Sequence, residues 1–367
     1  MISKDDITEV LSKYNTDNIR IGTICSHSAL QIFHGAKQEG FRTLGICTRK
    51  RKFVYDAFPL AQPDDYLLID DFKDILSSKC QEKLREQNVI IIPHGSFVEY
   101  VGPENLEKEF CVPMFGNRKT LEWERGRKKQ RMWLEKSGFK LPKEYKDPSE
   151  IDKKVFVKFS GAKGGKGFFT VNSEKELYER LNEQVRKGIV SKEDSSNITI
   201  QEFVSGVRYY PHYFYSVFER PRIKTGEGRV ELLSMDKRIE PIDECYRGLP
   251  DVPSEFFDYT VTGNHPVVIR ESLLPDIIKM GIDTVRSSIK LFPPGMLGAF
   301  CLETVYHPRR GFTVFEISAR IVAGTNLYPQ GSPYSCYLFN EPMSTGRRIA
   351  REIRVGIKRK ELEKVIY

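Results

Sequence analysis

The fold is decided by the stretch Val155-Phe156-Val157-Lys158-Phe159-Ser160-Gly161-Ala162-Lys163-Gly164-Gly165-Lys166-Gly167-Phe168-Phe169-Thr170-Val171. Apolar side chains at both ends predict two strands, 155–159 and 168–171, joined by a loop of eight residues. The loop contains four glycines and two lysines, which is more than a hairpin turn requires. Its backbone N–H groups and lysines suit a triphosphate, because glycine lets the backbone approach a ligand closely. It is not a Walker-type loop, since no Gly-Lys-Ser/Thr sequence opens a helix.

Two later apolar segments each carry one carboxylate. Residues 299–305 and 312–317 predict a pair of strands, with Glu303 in the first and Glu316 in the second. Burying a carboxylate is costly unless a cation compensates its charge. Oxygen ligands on rigid strands suit Mg²⁺, which takes one or two carboxylates together with phosphates and water. We therefore predict a metal site at Glu303 and Glu316.

The alternative for these two glutamates is a pair of salt bridges, with Arg320 and Arg270 as partners. The lysine-bearing loop upstream favours the metal, because a metal and a phosphate loop serve the same nucleotide. Arg320 and Asn326 follow Glu316 closely, at positions where phosphates would be clamped.

Strands and helices alternate through the first part of the chain. The strands are predicted at 19–24, 43–47, 66–69 and 88–92. A helix at 29–39, ended by Gly40, lies between the first two. This alternation is typical of an open parallel α/β domain, in which ligands bind at loops beyond the carboxyl ends of the strands. The other patterns predict helices at 1–18, 117–139 and 174–187, and strands at 197–203, 209–218 and 229–236.

Two serine–histidine loops, Ser26-His27-Ser28 and His94-Gly95-Ser96, follow strands of this domain. Either loop alone is explained by a structural histidine and a helix cap, since Ser26 or Ser28 can cap the next helix. Two such loops at one edge of one sheet indicate a site for a phosphorylated small molecule. The chain has no Gly-x-Gly-x-x-Gly sequence, so an ordinary dinucleotide-binding fold is not expected.

The composition is that of an ordinary globular protein. The chain has 367 residues, of which 40% are hydrophobic and 29% charged, with 58 Lys and Arg against 50 Asp and Glu. The net charge of +8 is mild. The basic runs 49–52 and 125–131 are explained by solvated faces or by attraction for anionic nucleotides, so no nucleic-acid partner is expected.

Several features favour a cytoplasmic location with no membrane partner. No apolar run approaches the ~20 residues of a membrane-spanning helix. The start Met1-Ile2-Ser3-Lys4-Asp5-Asp6 is acidic where a secretory signal would be basic and apolar. Seven scattered cysteines form no Cys-x-x-Cys pair, which favours reduced thiols over disulfides or zinc.

The chain resembles the ATP-grasp fold, and one of its families more closely. A lysine-bearing strand, a glycine–lysine loop, a strand ending in Gln201-Glu202-Phe203-Val204 and two late glutamates are features of that fold. Along essentially its whole length the chain is similar to the archaeal formate-dependent formylaminoimidazole-carboxamide ribonucleotide synthetases of purine biosynthesis. The motifs that carry this resemblance are Ser26-His27-Ser28, Pro93-His94-Gly95-Ser96-Phe97, Pro113-Met114-Phe115-Gly116-Asn117-Arg118, Met235-Asp236-Lys237-Arg238, Thr262-Gly263-Asn264, Pro266-Val267-Val268-Ile269-Arg270-Glu271-Ser272-Leu273-Leu274-Pro275 and Phe315-Glu316-Ile317-Ser318-Ala319-Arg320.

The resemblance implies a fold class of α/β and α+β, with ATP-grasp architecture behind an N-terminal open parallel α/β (pre-ATP-grasp) domain. Residues 1–120 would form that domain and contribute to the ribonucleotide site. Residues 121–204 would form the small ATP-grasp domain with the phosphate loop, and residues 205–367 the large domain with the metal and phosphate residues.

The implied enzyme is an ATP-dependent carbon–nitrogen ligase. ATP would phosphorylate formate to formyl phosphate. The 5-amino group of aminoimidazole-carboxamide ribonucleotide (AICAR) would then attack it, giving the formylated ribonucleotide (FAICAR), ADP and phosphate. The glycine–lysine loop would close over the acyl phosphate. The implied partners are ATP, formate, AICAR and, in a homo-oligomer, further copies of the chain.

The resemblance also implies roles for individual residues. Lys158 and Arg320 would be catalytic, and Glu303 and Glu316 would bind Mg²⁺, with Mn²⁺ as an alternative. The AICAR-binding residues would be His27, Ser28, Ser96 and Asn264. The ATP-binding residues would be Lys158, Gly161, Lys163, Gly164, Gly165, Lys166, Gly167, Glu202, Phe203, Val204, Glu240 and Asn326.

The sequence departs from the family pattern beside the predicted metal site. It reads Ile321-Val322-Ala323-Gly324-Thr325-Asn326 where the family often has Val-Asp-Gly-Gly-Thr-Asn, so an acid and a glycine are replaced. Glu303 is often Gln in the family, and residues 206–210, which follow the strand ending in Gln201-Glu202-Phe203-Val204, also differ from the family pattern. Two further hypotheses therefore stay open: a paralogous ATP-grasp ligase for another carboxylate and amine, and a non-catalytic paralogue that binds nucleotide.

Overall fold

The computed structural model describes residues 1–159, 168–188, 190–220, 228–241 and 260–367, without the side chains of Phe168, Lys192 and Asp194. The strands are β1 (Arg20–Ile24), β2 (Arg42–Thr48), β3 (Asp65–Ile69), β4 (Val89–Ile91), β5 (Glu144–Tyr145), β6 (Val155–Phe159), β7 (Phe168–Val171), β8 (Ile198–Glu202), β9 (Val207–Ser216), β10 (Arg229–Ile239), β11 (Gly263–Pro266), β12 (Gly298–His307) and β13 (Gly311–Ser318). The α-helices are α1 (Lys4–Ser12), α2 (Ala29–Gln38), α3 (Arg49–Asp56), α4 (Ser78–Glu86), α5 (Pro103–Glu109), α6 (Lys119–Arg125), α7 (Arg127–Lys136), α8 (Glu174–Arg186), α9 (Lys192–Ser196), α10 (Leu274–Leu291), α11 (Pro333–Cys336) and α12 (Thr345–Arg359).

The N-terminal sheet is parallel, with the strand order β3-β2-β1-β4. Its strands are short apolar runs that are buried along most of their length, as expected when helices cover both faces. The predicted open parallel α/β domain is therefore confirmed. Both serine–histidine loops leave this sheet at the carboxyl ends of two neighbouring strands, β1 and the edge strand β4.

A second sheet, in the order β5-β8-β6-β7, is antiparallel. Lys158 lies on β6 and pairs in register with Phe168 on β7. The loop between these strands, residues 160–167, lies outside the described residues, and so do the predicted ligands Gly161, Lys163, Gly164, Gly165, Lys166 and Gly167.

The third sheet is antiparallel in the order β11-β10-β9-β12-β13 and forms the centre of the C-terminal half. Adjacent residues on a strand point to opposite faces. Tyr213 on β9 packs in one hydrophobic cluster with Ile277 and Val285 of α10. Its neighbour Phe214 packs on the other face, in a cluster that contains Ile349 of α12. The face that carries Phe214 is apolar at the end of the sheet near Phe214 and polar at the opposite end.

Helices α2 and α12 cross closely and bind the N-terminal domain to the C-terminal half. An added Cβ at Gly35 would lie 2.1 Å from the backbone nitrogen of Arg347. Beside this crossing, the buried carboxylate of Glu39 accepts ion pairs from Arg347, Arg351 and Arg354. The start of α2, which carries the Ser26-His27-Ser28 loop, is thereby fixed relative to the third sheet.

The structure differs from two of the predicted helices. The helix predicted at 117–139 is broken into α6 and α7 at Gly126, which adopts an extended conformation (φ −74°, ψ 100°). Glycine has low helix propensity, so it is the natural place for such a break. The helix predicted at 1–18 ends at Ser12, and a short 3₁₀ turn, Thr16–Asn18, follows it.

Each sheet lies within one of the predicted segments 1–120, 121–204 and 205–367, although the boundaries themselves stay predictions. Among the described residues no helix is both long and apolar enough to span a membrane.

Candidate active site

The polar end of the third sheet brings several predicted site residues onto one face. Register partners in an antiparallel pair lie on the same face. The structure pairs Asn264 with Arg238, and Glu303 with Glu316. Tyr210 on β9 pairs with Asp236, two residues before Arg238, so it belongs to the same face. We call this face the floor of the site. It carries the amide of Asn264 at the β11 edge, the carboxylates of Glu303 and Glu316 on β12 and β13 at the other edge, and Arg238 between them.

The carboxylate pair lies on β12 and β13. Glu303 is only 4% exposed, whereas Glu316 reaches solvent. Burial among protein atoms raises the pKa of Glu316 to about 7, the charge of Glu303 adds to this rise, and Lys158 opposes it. A side chain that reaches solvent and is still surrounded by protein lies on the floor of a cleft. The same burial lowers the pKa of Lys158, and Glu316 counteracts that shift.

The two carboxylates fit a hard divalent cation. The charge of a cation would relieve the repulsion that raises the pKa of Glu316. Across the described ranges, no group of three or more His, Cys, Asp or Glu side chains is placed to hold a metal. A two-carboxylate site matches the preference of Mg²⁺, which completes its shell with phosphates and water.

The ion pairs on this floor differ from those considered from the sequence. Glu303 is bound by Arg238 through two hydrogen bonds, Nη1 to Oε2 at 2.9 Å and Nη2 to Oε1 at 2.5 Å. The guanidinium of Arg238 also lies 4.0 Å from the ring centre of Tyr210. Arg320 pairs with Glu124, at 3.0 Å, instead of with a metal-site carboxylate.

Arg320 is held against the serine–histidine loops. Glu124 accepts from Arg320 with one oxygen and from the backbone N–H of Ala319, at 2.8 Å, with the other. A Cβ added at Gly95 would lie 3.0 Å from the ring of His27 and 3.3 Å from Nη2 of Arg320. Glycine at position 95 therefore lets the guanidinium and the imidazole approach each other.

His27 has a strained backbone and a neutral ring. Its φ is +50°, in the left-handed region that residues other than glycine rarely adopt. Its ring stacks on His94 at 5.4 Å, with 7° between the planes. Burial lowers the pKa of His27 well below its ordinary value, and the nearby charges of Arg320, His94 and Arg238 lower it further. At neutral pH the imidazole is therefore uncharged.

The other loop residues support His27. Ser28 is the N-cap residue of α2, but its hydroxyl shares a 2.7 Å hydrogen bond with Nδ1 of His27 instead of capping the helix. The buried His94 donates through Nε2 to the carbonyl of Ile24, at 2.9 Å, and accepts from the N–H of Ser96, at 3.2 Å. Burial lowers the pKa of His94 to about 4, so this ring is also neutral.

Asn264 is oriented by a buried acid. Its Nδ2 donates to Asp236 at 2.6 Å, and His212 donates to the other carboxylate oxygen of Asp236 at 2.7 Å. Asp236 and His212 are 1% and 2% exposed. A Cβ at Gly324 would lie 2.3 Å from the same carboxylate, so only glycine fits behind it. Asp236 takes one N–H of the Asn264 amide and so orients it, which leaves the carbonyl oxygen as an acceptor and the second N–H as a donor.

Asn326 contacts the His27 loop. Its Nδ2 donates to the carbonyl of His27 at 3.2 Å, and its Oδ1 accepts from Gln31 at 2.9 Å. The family resemblance implies that Asn326 binds ATP. The structure places both ends of its amide on protein groups of the N-terminal domain.

The predicted nucleotide residues lie at the ends of strands in the second and third sheets. Glu202 accepts from both terminal nitrogens of Arg310 at 3.0 Å and from the N–H of Lys143 at 3.3 Å. Phe203 follows it and lies 4.9 Å from Phe156, ring centre to ring centre. Glu240 forms an ion pair with Arg208. Val204, the residue after Phe203, is half-buried.

Sequence reasoning gave no role to Arg238, Asp236, His212 or Glu124. A signal was present for Asp236, which lies in the predicted strand 229–236, whereas that predicted strand ended before Arg238. No comparable signal existed for Glu124, because its partner Arg320 lies far away along the chain.

Comparisons with known proteins agree with this architecture. Family models described as "Domain of unknown function (DUF1297)" and "Protein of unknown function (DUF1246)" match residues 176–367 and 21–145. The chain is 54% identical over 369 residues to a 5-formaminoimidazole-4-carboxamide-1-(beta)-D-ribofuranosyl 5'-monophosphate synthetase from Korarchaeum cryptofilum, with all of both chains covered. It is 44% identical over 374 residues to the protein of that name from Methanocaldococcus jannaschii, again with full coverage.

Solved structures show the same likeness. The IMP biosynthesis protein PurP from Thermococcus kodakaraensis matches with a TM-score of 0.73 and 32% identity, covering 95% of this chain and 100% of the other. A biotin carboxylase from Campylobacter jejuni matches with a TM-score of 0.60 and 11% identity, covering 90% of this chain and 70% of the other, which shows the fold alone. The ATP-grasp architecture predicted from the sequence is confirmed.

Proposed function

The chain belongs to the family of 5-formaminoimidazole-4-carboxamide-1-(beta)-D-ribofuranosyl 5'-monophosphate synthetases, which are ATP-dependent ligases. From this premise we propose that it formylates AICAR with ATP and formate, giving FAICAR, ADP and phosphate on the route to IMP. One observation carries the proposal. A single sheet face holds an oriented amide, Asn264, at one edge and a carboxylate pair, Glu303 and Glu316, at the other.

The chemistry needs both edges of that face. A formate oxygen attacks the γ-phosphorus of ATP, the bond from that phosphorus to the β–γ bridging oxygen breaks, and ADP leaves. The amine nitrogen of AICAR then attacks the formyl carbon. The C–O bond to phosphate breaks, and the phosphate takes the proton that the nitrogen gives up. Water would hydrolyse the acyl phosphate, so the cleft has to exclude it.

Charge on the transferring phosphoryl group has to be neutralised. We assign this role to Lys158 on β6 and Arg320 after β13, as the catalytic residues. Glu303 and Glu316 would hold Mg²⁺ or Mn²⁺, which when bound neutralises phosphate oxygens as a Lewis acid. Burial and, after it, the charge of Glu303 raise the pKa of Glu316, and a bound cation would offset both effects, which supports this assignment.

The ribonucleotide would bind between the N-terminal domain and the third sheet. His27, Ser28 and Ser96 lie at the carboxyl ends of β1 and β4, where α/β sheets bind ligands. Asn264 would accept a hydrogen bond from an amino group of AICAR, since Asp236 fixes its amide with the carbonyl oxygen available. Asn326 would act on the same side of the cleft by holding the carbonyl of His27.

ATP would bind between the second and third sheets. The backbone of Glu202, Phe203 and Val204 would meet the adenine, while the Glu202 side chain is held by Arg310 on the β12–β13 turn. Glu240 would face the ribose. The loop residues Gly161, Lys163, Gly164, Gly165, Lys166 and Gly167 complete the proposed phosphate site from the sequence alone. The family resemblance extends the proposal to a cytoplasmic homo-oligomer.

The departures at Val322 and Ala323 do not favour the other hypotheses. Val322 is 5% exposed and packs in a small apolar cluster with Tyr210 and Cys301. Its aliphatic side chain therefore packs against the face of the third sheet that carries Tyr210 and Cys301. Lys158, Glu303 and Glu316 are all present, which a protein without activity would not need.

The test is to incubate the purified protein with ATP, Mg²⁺, formate and AICAR, and to follow the mass of the ribonucleotide. We expect the ribonucleotide to gain one formyl group, dependent on both ATP and formate. Acetate in place of formate, and the Glu316→Ala variant, are the controls. ATP binding without any formylated product would contradict the proposal and favour the non-catalytic paralogue. Acylation by acetate instead of formate would favour the other ligase.

A further inference from the structure

Arg238 is the cation at the centre of the floor. Its strand, β10, lies between β11, which carries Asn264, and β9, beyond which β12 carries Glu303. The side chain reaches across Tyr210 to Glu303 and is 21% exposed. Arg238 therefore lies between the metal edge and the amine edge of the floor.

The two terminal nitrogens of the Arg238 guanidinium, called the fork below, already bind a carboxylate. They bind the two oxygens of Glu303, at 2.9 Å and 2.5 Å. A planar guanidinium forms such paired bonds with carboxylates because the spacing of its N–H groups matches that of the oxygens. The ring of Tyr210 beneath it restricts the orientations that the fork can take.

We propose that Arg238 binds the carboxylate of the small acid substrate, and that Glu303 occupies this binding position until it turns away towards a metal. This inference rests on the proposed function, in which the acid is formate. It assigns the acid a position between the phosphoryl donor at Glu303 and Glu316 and the acceptor amine near Asn264.

Arg320, which follows β13, bounds the same position on the side that faces the N-terminal domain. It is anchored by Glu124, outside the metal pair, and its Nη2 approaches Gly95 beside His27. A Cβ added at Gly95 would lie 3.0 Å from the ring of His27 and 3.3 Å from Nη2 of Arg320, so this guanidinium lies on the side of the cleft where the ribonucleotide would bind. The acid would therefore lie between two arginines, with Arg238 as the fork and Arg320 as the second charge.

Because Glu303 would bind either Arg238 or the metal, we expect metal and nucleotide to bind before formate. As long as Glu303 fills the fork, a free carboxylate has to compete with a partner that is attached to the protein. When Glu303 engages a metal with its nucleotide, the fork becomes available. Formate should therefore bind weakly to the free protein and more tightly once Mg²⁺ and nucleotide are present.

The first experiment measures formate binding without turnover. Saturation-transfer NMR follows the formate proton with the full chain, alone and with Mg²⁺ plus a non-hydrolysable ATP analogue. We expect the dissociation constant of formate to fall about tenfold or more when both are added, because formate then gains a pair of charge-assisted hydrogen bonds to Arg238. In Glu303→Gln, formate should bind without nucleotide as tightly as it binds the loaded wild type. Equal binding in all samples would overturn the inference.

The second experiment changes the fork itself. Arg238→Lys keeps the charge and removes the paired geometry, so the KM for formate should rise about tenfold or more, while the KM values for ATP and AICAR change less than about twofold. Arg229→Lys is the matched control, because Arg229 also pairs with a carboxylate, Glu231, on the same strand. An unchanged KM for formate, or equal rises for all three substrates, would refute the role of Arg238.

The two proposals fail separately. The NMR experiment does not depend on product formation. A wild type that binds formate through Arg238 but never forms FAICAR would contradict the proposed function and still support the carboxylate site. Glu303→Gln keeps the binding test decisive if Arg238→Lys does not fold.

Discussion

The side-chain amide of Asn326 donates a hydrogen bond to the backbone carbonyl of His27, at 3.2 Å, although 299 positions separate the two residues. His27 needs such support, because its φ of +50° is unfavourable for a residue with a side chain. The contact joins the segment after β13 to the loop after β1. It fixes an imidazole that we assign to the ribonucleotide site.

Replacing Asn326 by Ala should weaken AICAR binding about tenfold and leave ATP binding unchanged, because one hydrogen bond that orients His27 is lost. His27→Ala should act in the same direction. Calorimetric titration with AICAR and, separately, with a non-hydrolysable ATP analogue measures both effects. Asn15→Ala, at an exposed asparagine in the loop after α1, is the matched control. Loss of ATP binding with AICAR binding intact would instead place Asn326 among the nucleotide residues.

Asp236→Asn should raise the KM for AICAR about tenfold to a hundredfold and change the KM for ATP little. In the wild type, one carboxylate oxygen of Asp236 accepts from Asn264 and the other from His212. The asparagine has only one side-chain oxygen, so one of these buried donors loses its partner. Steady-state kinetics with each substrate varied measures the split. Asp283→Asn, on α10 at the opposite face of the sheet, is the control for a change from acid to amide. Equal effects on both substrates would indicate a general structural role.

Glu316→Gln should stabilise the protein at high pH. Burial and Glu303 raise the pKa of Glu316 to about 7 in the folded protein, from an ordinary value of 4.5, so the folded state binds the proton more tightly than the unfolded chain. The free energy of unfolding of the wild type therefore falls as the pH rises between these two values. Because Glu316 reaches solvent, we expect a gain of only about 1 kcal/mol for the variant above pH ~7.

Thermal denaturation without metal, at about pH 5 and about pH 8, measures this difference. The variant should exceed the wild type in Tm by more at the higher pH. A Tm difference that is the same at both values would show that Glu316 has an ordinary pKa, and would remove one support for the metal site.

Gly35→Ala should destabilise the fold by about 2 kcal/mol or more, because the added methyl group would overlap the backbone of α12. The new Cβ would lie 2.1 Å from the nitrogen of Arg347. Urea denaturation measures the change, with Lys358→Ala on the exposed side of α12 as the control. A variant as stable as the control would contradict the close crossing of α2 and α12, and with it the way the His27 loop is positioned.

Much of the fold could be predicted from the sequence, because short apolar runs between turn residues specify strands whatever their partners. The parallel sheet and the pairing of β12 with β13 follow from such runs. The break at Gly126 was missed because the apolar spacing of a helix continues across it. Periodicity records which face is buried but not where the backbone leaves the helix.

The residues of the site were harder to predict than the strands that carry them. Glu303 and Glu316 stand out because charge is rare in buried strands. Arg238 does not, because an arginine on a strand is usually solvated, and its partner Glu303 lies 65 positions further along the chain. Pairings of this kind are set by the sheet order, which the sequence pattern does not contain.

The claim that ATP activates formate as formyl phosphate is tested most directly with formate labelled with ¹⁸O in both oxygens. The purified protein is incubated with labelled formate, ATP, Mg²⁺ and AICAR, and the masses of the phosphate and ribonucleotide products are measured by mass spectrometry. The account predicts one ¹⁸O atom in the phosphate and one in the formyl group of FAICAR. Formylated product together with unlabelled phosphate would contradict it, since formate would then never have been bonded to the γ-phosphorus.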